Sequence, residues 1–145
     1  MGTTSLDDIL LTPLKRIETV GGDVIHALRK SDDGFYGFGE VYFSWVEHGA
    51  VKAWKFHTRM NLNIVVPVGE VRFVFHLTNQ KNYFRTENIG EKQNVRLTVP
   101  PGIWFGFQGI ASCRSLLMNL ADMVHDPDEI LRKPVSNFNY NWIKP

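Results

Sequence analysis

Lys55 and His57 stand two residues apart in Val51-Lys52-Ala53-Trp54-Lys55-Phe56-His57, a segment apolar enough to form a strand. Alternate side chains of a strand share a face, so the pair is expected to project together with Val51 and Ala53, with Trp54 and Phe56 opposite. An imidazole changes charge near neutral pH and can take a proton. A lysine beside it can neutralise an anion, or act as a base itself if burial lowers its pKa from the usual ~10.4. A solvated strand face is the plain alternative. Glu40, Tyr42 and Ser44 form a second polar set at the same spacing. Asn119 lies within an apolar run, where a buried amide needs partners, either in the core or in a pocket. Trp104 and Phe105 could stack on a flat ring or pack the core. Arg72 and Arg96 read as rim or surface residues. His26, His48, His76 and His125 lack the spacing of a ligand cluster and read as structural or exposed.

The elements that must hold these residues are strands. In Val71-Arg72-Phe73-Val74-Phe75-His76-Leu77-Thr78 every odd position is apolar, and Asn94-Val95-Arg96-Leu97-Thr98-Val99 alternates in the same way. Val41, Phe43 and Trp45 alternate with Glu40, Tyr42 and Ser44; if the apolar three pack the core, the polar three either line a pocket or meet water. The apolar run from Cys113 to Ala121 suits a strand covered on both faces, with Cys113 a small buried hydrophobe. Turn signals recur at Gly34, His48-Gly49, Pro67-Val68-Gly69, Asn79-Gln80-Lys81, Gly90, Pro100-Pro101-Gly102 and Gly109. Short strands so spaced predict an all-β sandwich or barrel. Ser5 caps a short helical start before Pro13, and Asp126-Pro127-Asp128-Glu129 predicts a helix that stops at Lys133-Pro134.

A length of 145 residues suits a single domain over residues 1–145, with 43% hydrophobic and 21% charged residues, an ordinary balance for a packed core. Ten Phe, four Trp and four Tyr supply much of that core. A net charge of +1 offers no field for nucleic acid or an anionic membrane. The one cysteine allows no internal disulfide, and Asp7 and Asp8 interrupt the first apolar run, against a signal peptide. A cytoplasmic protein without nucleic-acid or membrane partners is expected.

Gly49, His57 and Gly69 keep the spacing of the first cupin motif, in which a glycine precedes His-x-His, an acid and a closing glycine. Lys55 replaces the first histidine and Leu62 the acid. Pro100-Pro101-Gly102-Ile103-Trp104-Phe105 resembles the second motif, with Phe105 at its histidine. A metal site needs about three donors, and of the motif's four only His57 remains, so no metal and no cofactor are expected.

Beyond those motifs the chain resembles the dTDP-4-dehydrorhamnose 3,5-epimerase family and its shorter ketoisomerase relatives. Pro13-Leu14-Lys15, Gly39 to Ser44, Val51 to His57, Val66 to Gly69, Val99 to Gly102, Gly106-Phe107, His125 to Glu129 and Asn139-Tyr140-Asn141-Trp142 carry the likeness, in order, over nearly the whole chain. The resemblance implies a cupin-type jelly-roll barrel, usually dimeric, that binds a nucleotide-linked keto sugar in its mouth. It implies epimerisation or isomerisation of a 4-keto-6-deoxy sugar by removal of a proton beside the carbonyl and stabilisation of the enolate. Lys55 then stands at the family's base, His57 at the second histidine of the ketoisomerases, and Lys52 at a basic substrate contact. Glu40, Tyr42 and Asn119 are candidate substrate contacts. The family's aspartate falls on Leu77, and its tyrosine acid near Met118 or Asn119. A cupin that binds a sugar nucleotide or a protein without turning it over is the alternative. A metal-dependent cupin is a third.

Overall fold

In the computed structural model, which describes residues 3–145, the strand periodicities resolve into strands β1 (Leu10–Pro13), β2 (Arg16–Ile17), β3 (Val24–Ile25), β4 (Glu40–Val46), β5 (Val51–His57) and β6 (Leu62–Val68). The series continues with β7 (Glu70–His76), β8 (Arg85–Gly90), β9 (Val95–Val99), β10 (Trp104–Gly109), β11 (Ser115–Ala121) and β12 (Ile130–Arg132). One five-stranded sheet runs β1-β9-β6-β11-β4, a second runs β12-β5-β10-β7-β8, and β2 and β3 make a separate hairpin. All the sheet pairings are antiparallel. This is a cupin-like jelly roll. Among the described residues no helix is long and apolar enough to cross a membrane.

The two glycines of the first cupin motif carry the chain between sheets. Gly49, at φ +74°, lies between β4 of the first sheet and β5 of the second, and Gly69, at φ +80°, lies between β6 and β7. Positive φ costs glycine little and other residues much, which explains the residue type at both crossings. The inward faces meet in one core, where Leu62, Ile64, Leu97 and Leu117 of the first sheet pack with Phe73, Phe75, Phe105 and Phe107 of the second. The Phe73 and Phe107 rings are 5.4 Å apart and those of Phe75 and Phe105 6.4 Å, within the range of favourable aromatic pairs.

The second sheet is apolar on its outer face as well. Trp54, Val74 and Trp104 are covered there by Phe138, Tyr140 and Trp142 of the closing segment. Gln108 fixes that segment, donating to the Ile143 carbonyl at 2.6 Å and accepting from the Ile143 N–H at 3.0 Å. Both polar groups of one residue are thereby satisfied under the cover. His76, read from sequence as structural or exposed, is buried and stacks between Phe84 and Phe138 with ring centroids 4.6 Å from each.

Several expectations need correction. Val41, Phe43 and Trp45 face outward, with Phe43 64% exposed, while Glu40, Tyr42 and Ser44 face the interior. The interior at that end is a polar recess, so the apolar set is the one turned out. Arg96 is only 1% exposed instead of lying at the surface. Residues 27–34 lie across it, so that its guanidinium donates to the carbonyls of Ala27 (2.7 Å) and Asp33 (2.9 Å). Cys113 is exposed, because it precedes β11 in the turn and does not belong to that strand. β11 itself alternates buried and half-buried positions, so only one of its faces is fully covered. Residues 126–129 form a turn instead of a helix. Asp126 turns its carboxylate onto the Asp128 N–H and Arg59, and the chain then pairs with β5 as β12. The Ser5 cap is present, on a single 3-10 turn from Leu6 to Asp8.

Candidate functional site

β5 supplies most of the chemistry, and a bulge decides which of its side chains turn inward. It pairs with β10 as Trp104↔Phe56 and Phe105↔Lys55, then as Gly106↔Ala53 and Phe107↔Lys52, leaving Trp54 as an extra residue. A bulge places consecutive residues on one side and reverses the parity beyond it. Lys55 and His57 accordingly turn into the barrel, and Lys52 lies opposite the inward ring of Phe107. Ala53 packs outside with Trp54. The expectation that Val51 and Ala53 share the Lys55–His57 face is therefore corrected: strict alternation holds only where no residue is inserted.

His57 is buried and its Nδ1 bonds to the carboxylate of Glu129, which is buried too. The other carboxylate oxygen accepts the N–H groups of Arg59 and Met60, each at 3.2 Å. Burial alone would raise the Glu129 pKa. The His57 hydrogen bond, the two N–H groups and the attraction of His57 outweigh it and hold the carboxyl below its ordinary value. Glu129 is thus a carboxylate. With it as acceptor, Nδ1 is the donor nitrogen, so that in the neutral ring the lone pair is on Nε2, the form of an oriented base. The Phe105 ring stacks 6.0 Å from the imidazole and limits its rotation.

Lys55 is flanked by Phe105 on β10 and directly faces Arg132 on β12. Like charges opposite one another destabilise a sheet, and among the described residues neither has an ion-pair partner. Burial first, then repulsion from Arg132 and Lys52, pulls the Lys55 pKa below that of an ordinary lysine. An anion placed between these cations would relieve the repulsion.

Two spaces meet at this point. A recess of about 200 Å³ is lined by Lys55, His57, Phe105 and Phe107 on one wall and by Glu40, Tyr42, Ser44, Leu117 and Asn119 on the other. An adjoining cleft of about 550 Å³ shares Lys55 and Arg132 with it and adds Lys52, Lys133, Trp54 and Pro134, with no carboxylate in its lining. Of the residues singled out from sequence, Lys55, His57, Glu40, Tyr42 and Asn119 come together in the recess. Lys52 stands apart in the cleft, its ammonium donating to the Trp45 carbonyl at 3.0 Å. Glu129, Arg132 and His125 were missed. The first two lie in the stretch read as a helix, where the turn over residues 126–129 and then β12 instead bring them to β5. Leu77, which falls at the family's aspartate, is a buried apolar residue, and Glu129 supplies the carboxylate from elsewhere in the chain. Among the described residues no group of three or more His, Cys, Asp and Glu is arranged to hold a metal ion.

No family model matches the sequence, and no curated protein does. Solved structures do match. A dTDP sugar isomerase from Desulfovibrio desulfuricans G20 superposes with a TM-score of 0.87 and 30% identity, over 94% of this chain and 91% of that one. The chain belongs to the family of dTDP-4-dehydrorhamnose 3,5-epimerases and related dTDP sugar isomerases. The same fold is found in the sugar 3,4-ketoisomerase QdtA from Thermoanaerobacterium thermosaccharolyticum in complex with TDP, with a TM-score of 0.75, 18% identity and coverage of 89% and 90%. It is found again in the dTDP-6-deoxy-D-glucose-3,5-epimerase of Legionella pneumophila Philadelphia 1 in complex with dTDP-4-keto-L-rhamnose, with a TM-score of 0.79, 13% identity and coverage of 96% and 80%. The lysine at the first His-x-His position sets this member of the family apart from the motif.

Proposed function

We propose that the protein is an epimerase or isomerase of a dTDP-linked 4-keto-6-deoxy sugar, with proton transfer carried by its own side chains. The observation that supports this most is a histidine oriented by a buried carboxylate in a recess that shares with the adjoining cleft two cations, Lys55 and Arg132, without an ion-pair partner among the described residues. A recess of about 200 Å³ is smaller than the ~300–1,000 Å³ of typical small-molecule sites. It suits the sugar, and the diphosphate and base then extend into the cleft.

In this arrangement His57 Nε2 removes the proton from the carbon beside the keto group. The carbon–hydrogen electrons form the carbon–carbon double bond of an enolate, and the Lys55 ammonium, desolvated and close by, neutralises the oxygen on which the charge collects. Glu129 holds the imidazole in register and balances its positive charge. Lys52 and Arg132 meet the diphosphate, whose two phosphoryl groups relieve their repulsion with Lys55. Glu40, Tyr42 and Asn119 face the sugar from the opposite wall. The half-exposed apolar face of β4, on an edge strand with a free side, is the surface we assign to a second copy of the chain. Sedimentation showing only a 16.6 kDa species would remove the dimer. An exposed single thiol at Cys113 suits a reducing compartment, and we place the protein in the cytoplasm.

The test is solvent-deuterium exchange. With dTDP-4-keto-6-deoxyglucose in heavy water, the wild type incorporates deuterium beside the carbonyl and His57→Asn loses that exchange by a factor of at least ~10². Unchanged exchange in the variant removes His57 from the mechanism. Thermal stabilisation by dTDP without any exchange in the wild type would identify a binding module.

A further inference from the structure

Lys55 is held in a way that does nothing for the fold. It directly faces Arg132 across the β5–β12 pair, and Lys52 adds a third cation on its own strand. Like charges so placed cost a sheet stability. Lys52 gives its ammonium to the Trp45 carbonyl, whereas Lys55 has neither such a bond nor an ion pair among the described residues. The one carboxylate lining the recess among those residues, Glu40, belongs to the opposite wall on β4. The half-buried Lys55 side chain borders a space walled by Phe105, Phe107, Leu117 and Ile130. Burial and the two neighbouring cations pull its pKa below that of an ordinary lysine, which raises the share of free amine. A desolvated lysine beside another cation is the setting in which an amine attacks carbonyl compounds. The histidine of the cupin motif at this position could only carry a proton. A primary amine can also make a bond to carbon.

We infer that Lys55 forms an imine with the keto carbon of the sugar, and that His57 moves the neighbouring proton by way of an enamine. This deepens the function proposed above and rests on it: the ammonium placed there beside the oxygen is one protonation state of Lys55, and the free amine is the other. The amine lone pair attacks the carbonyl carbon, and the carbonyl π electrons pass to oxygen. With one proton taken up, that oxygen leaves as water and an iminium remains. His57 Nε2 then takes the proton from the adjacent carbon. The carbon–hydrogen electrons form a carbon–carbon double bond, the carbon–nitrogen π electrons return to nitrogen, and a neutral enamine results. An anion in a half-buried site needs its charge compensated, and this route creates none on the sugar. Reprotonation of the carbon restores the iminium. Addition of water then regenerates the carbonyl and the Lys55 amine, and returns the proton taken up, so atoms and charge balance over the turnover. Lys55 and His57 share the inward face of β5 two residues apart, which sets the base beside the bond that the lysine makes. The diphosphate in the adjoining cleft balances the charge of the iminium.

The experiment is reductive trapping of the full-length chain with dTDP-4-keto-6-deoxyglucose and sodium cyanoborohydride, which reduces an iminium faster than a ketone at neutral pH. Intact-mass measurement of the wild type is expected to show one sugar nucleotide joined as a secondary amine, and fragmentation of the peptide to place it on Lys55. Excess dTDP suppresses the adduct. Lys55→Arg keeps a positive charge and cannot form an imine. It is expected to lose the adduct and to slow solvent-deuterium exchange, while thermal stabilisation by dTDP shows that it is folded. Trapping on the wild type decides the matter even if that variant does not fold. Deuterium exchange in the wild type without any adduct overturns the inference and leaves the function standing. An adduct confined to Lys52 or Lys133 does the same, as does exchange at wild-type rate in Lys55→Arg. Absence of both exchange and adduct in the wild type removes both.

Discussion

Neighbouring strands β4 and β5 have similar patterns and treat them differently. Each contributes polar side chains to the recess and turns apolar ones outward. On β5 the outward set is buried again, because the closing segment lies over Trp54, which is 1% exposed. On β4 the outward set remains open, with Trp45 45% exposed and steadied by Arg114, whose guanidinium carbon sits 4.0 Å from the ring centroid. β5 therefore works as a fixed frame packed on both faces, which a base held to a fraction of an ångström requires. β4 is an edge strand backed by packing on one face only. Polarity inward and hydrophobicity outward is the signature both strands share. It marks the end of the barrel built for a ligand.

Truncation of the two tryptophans tests that contrast most severely. Trp54→Ala is expected to cost about 3–5 kcal/mol of stability, and Trp45→Ala about 1 kcal/mol or less, mostly the cation–π contact. Equal costs in urea denaturation would erase the distinction. Gln108→Leu leaves the Ile143 N–H and carbonyl unsatisfied beneath the cover. A loss of about 1–3 kcal/mol is expected, together with faster proteolysis after β12 and little change in nucleotide binding. Glu129 sharpens the comparison through pH. Its carboxyl pKa is depressed in the folded state, so the folded protein binds fewer protons than the unfolded chain in acid. The contribution to stability is complete above the ordinary glutamate value of ~4.3 and is lost as pH falls through the lower folded value. Acid unfolding curves of Glu129→Gln should be flatter in that window than the wild type, and parallel curves would refute the assignment. The smallest effect is expected from Lys52→Ala, which should weaken binding of inorganic pyrophosphate about threefold to tenfold, more at low salt than at high. A salt-independent loss would show that Lys52 acts through packing.

The strands carrying the site were legible because period-two alternation and the motif glycines are local signals. Gly49 and Gly69 announce the two crossings between sheets, and Lys55 and His57 announce a shared face. Which face that is was less legible on β4, because sorting by hydropathy assumes an apolar interior, and here the interior is a recess. The bulge at Trp54 was hidden for a different reason. An inserted residue leaves no mark in composition and exists only relative to the pairing partner, β10. Arg96 looked like a surface charge because nothing near it in sequence shows that residues 27–34 fold across it.

By itself, then, the sequence determined the all-β class, the order of the strands and the pairing of an imidazole with an ammonium. These depend on side chains a few residues apart. The tertiary structure decided that Glu129, 72 positions from His57, fixes the imidazole, that Arg132 faces Lys55, and that Tyr42 stands across from both. Such contacts are set by which strand lies beside which, and they convert a loose set of polar residues into an imidazole oriented by a carboxylate and two facing cations without an ion-pair partner among the described residues.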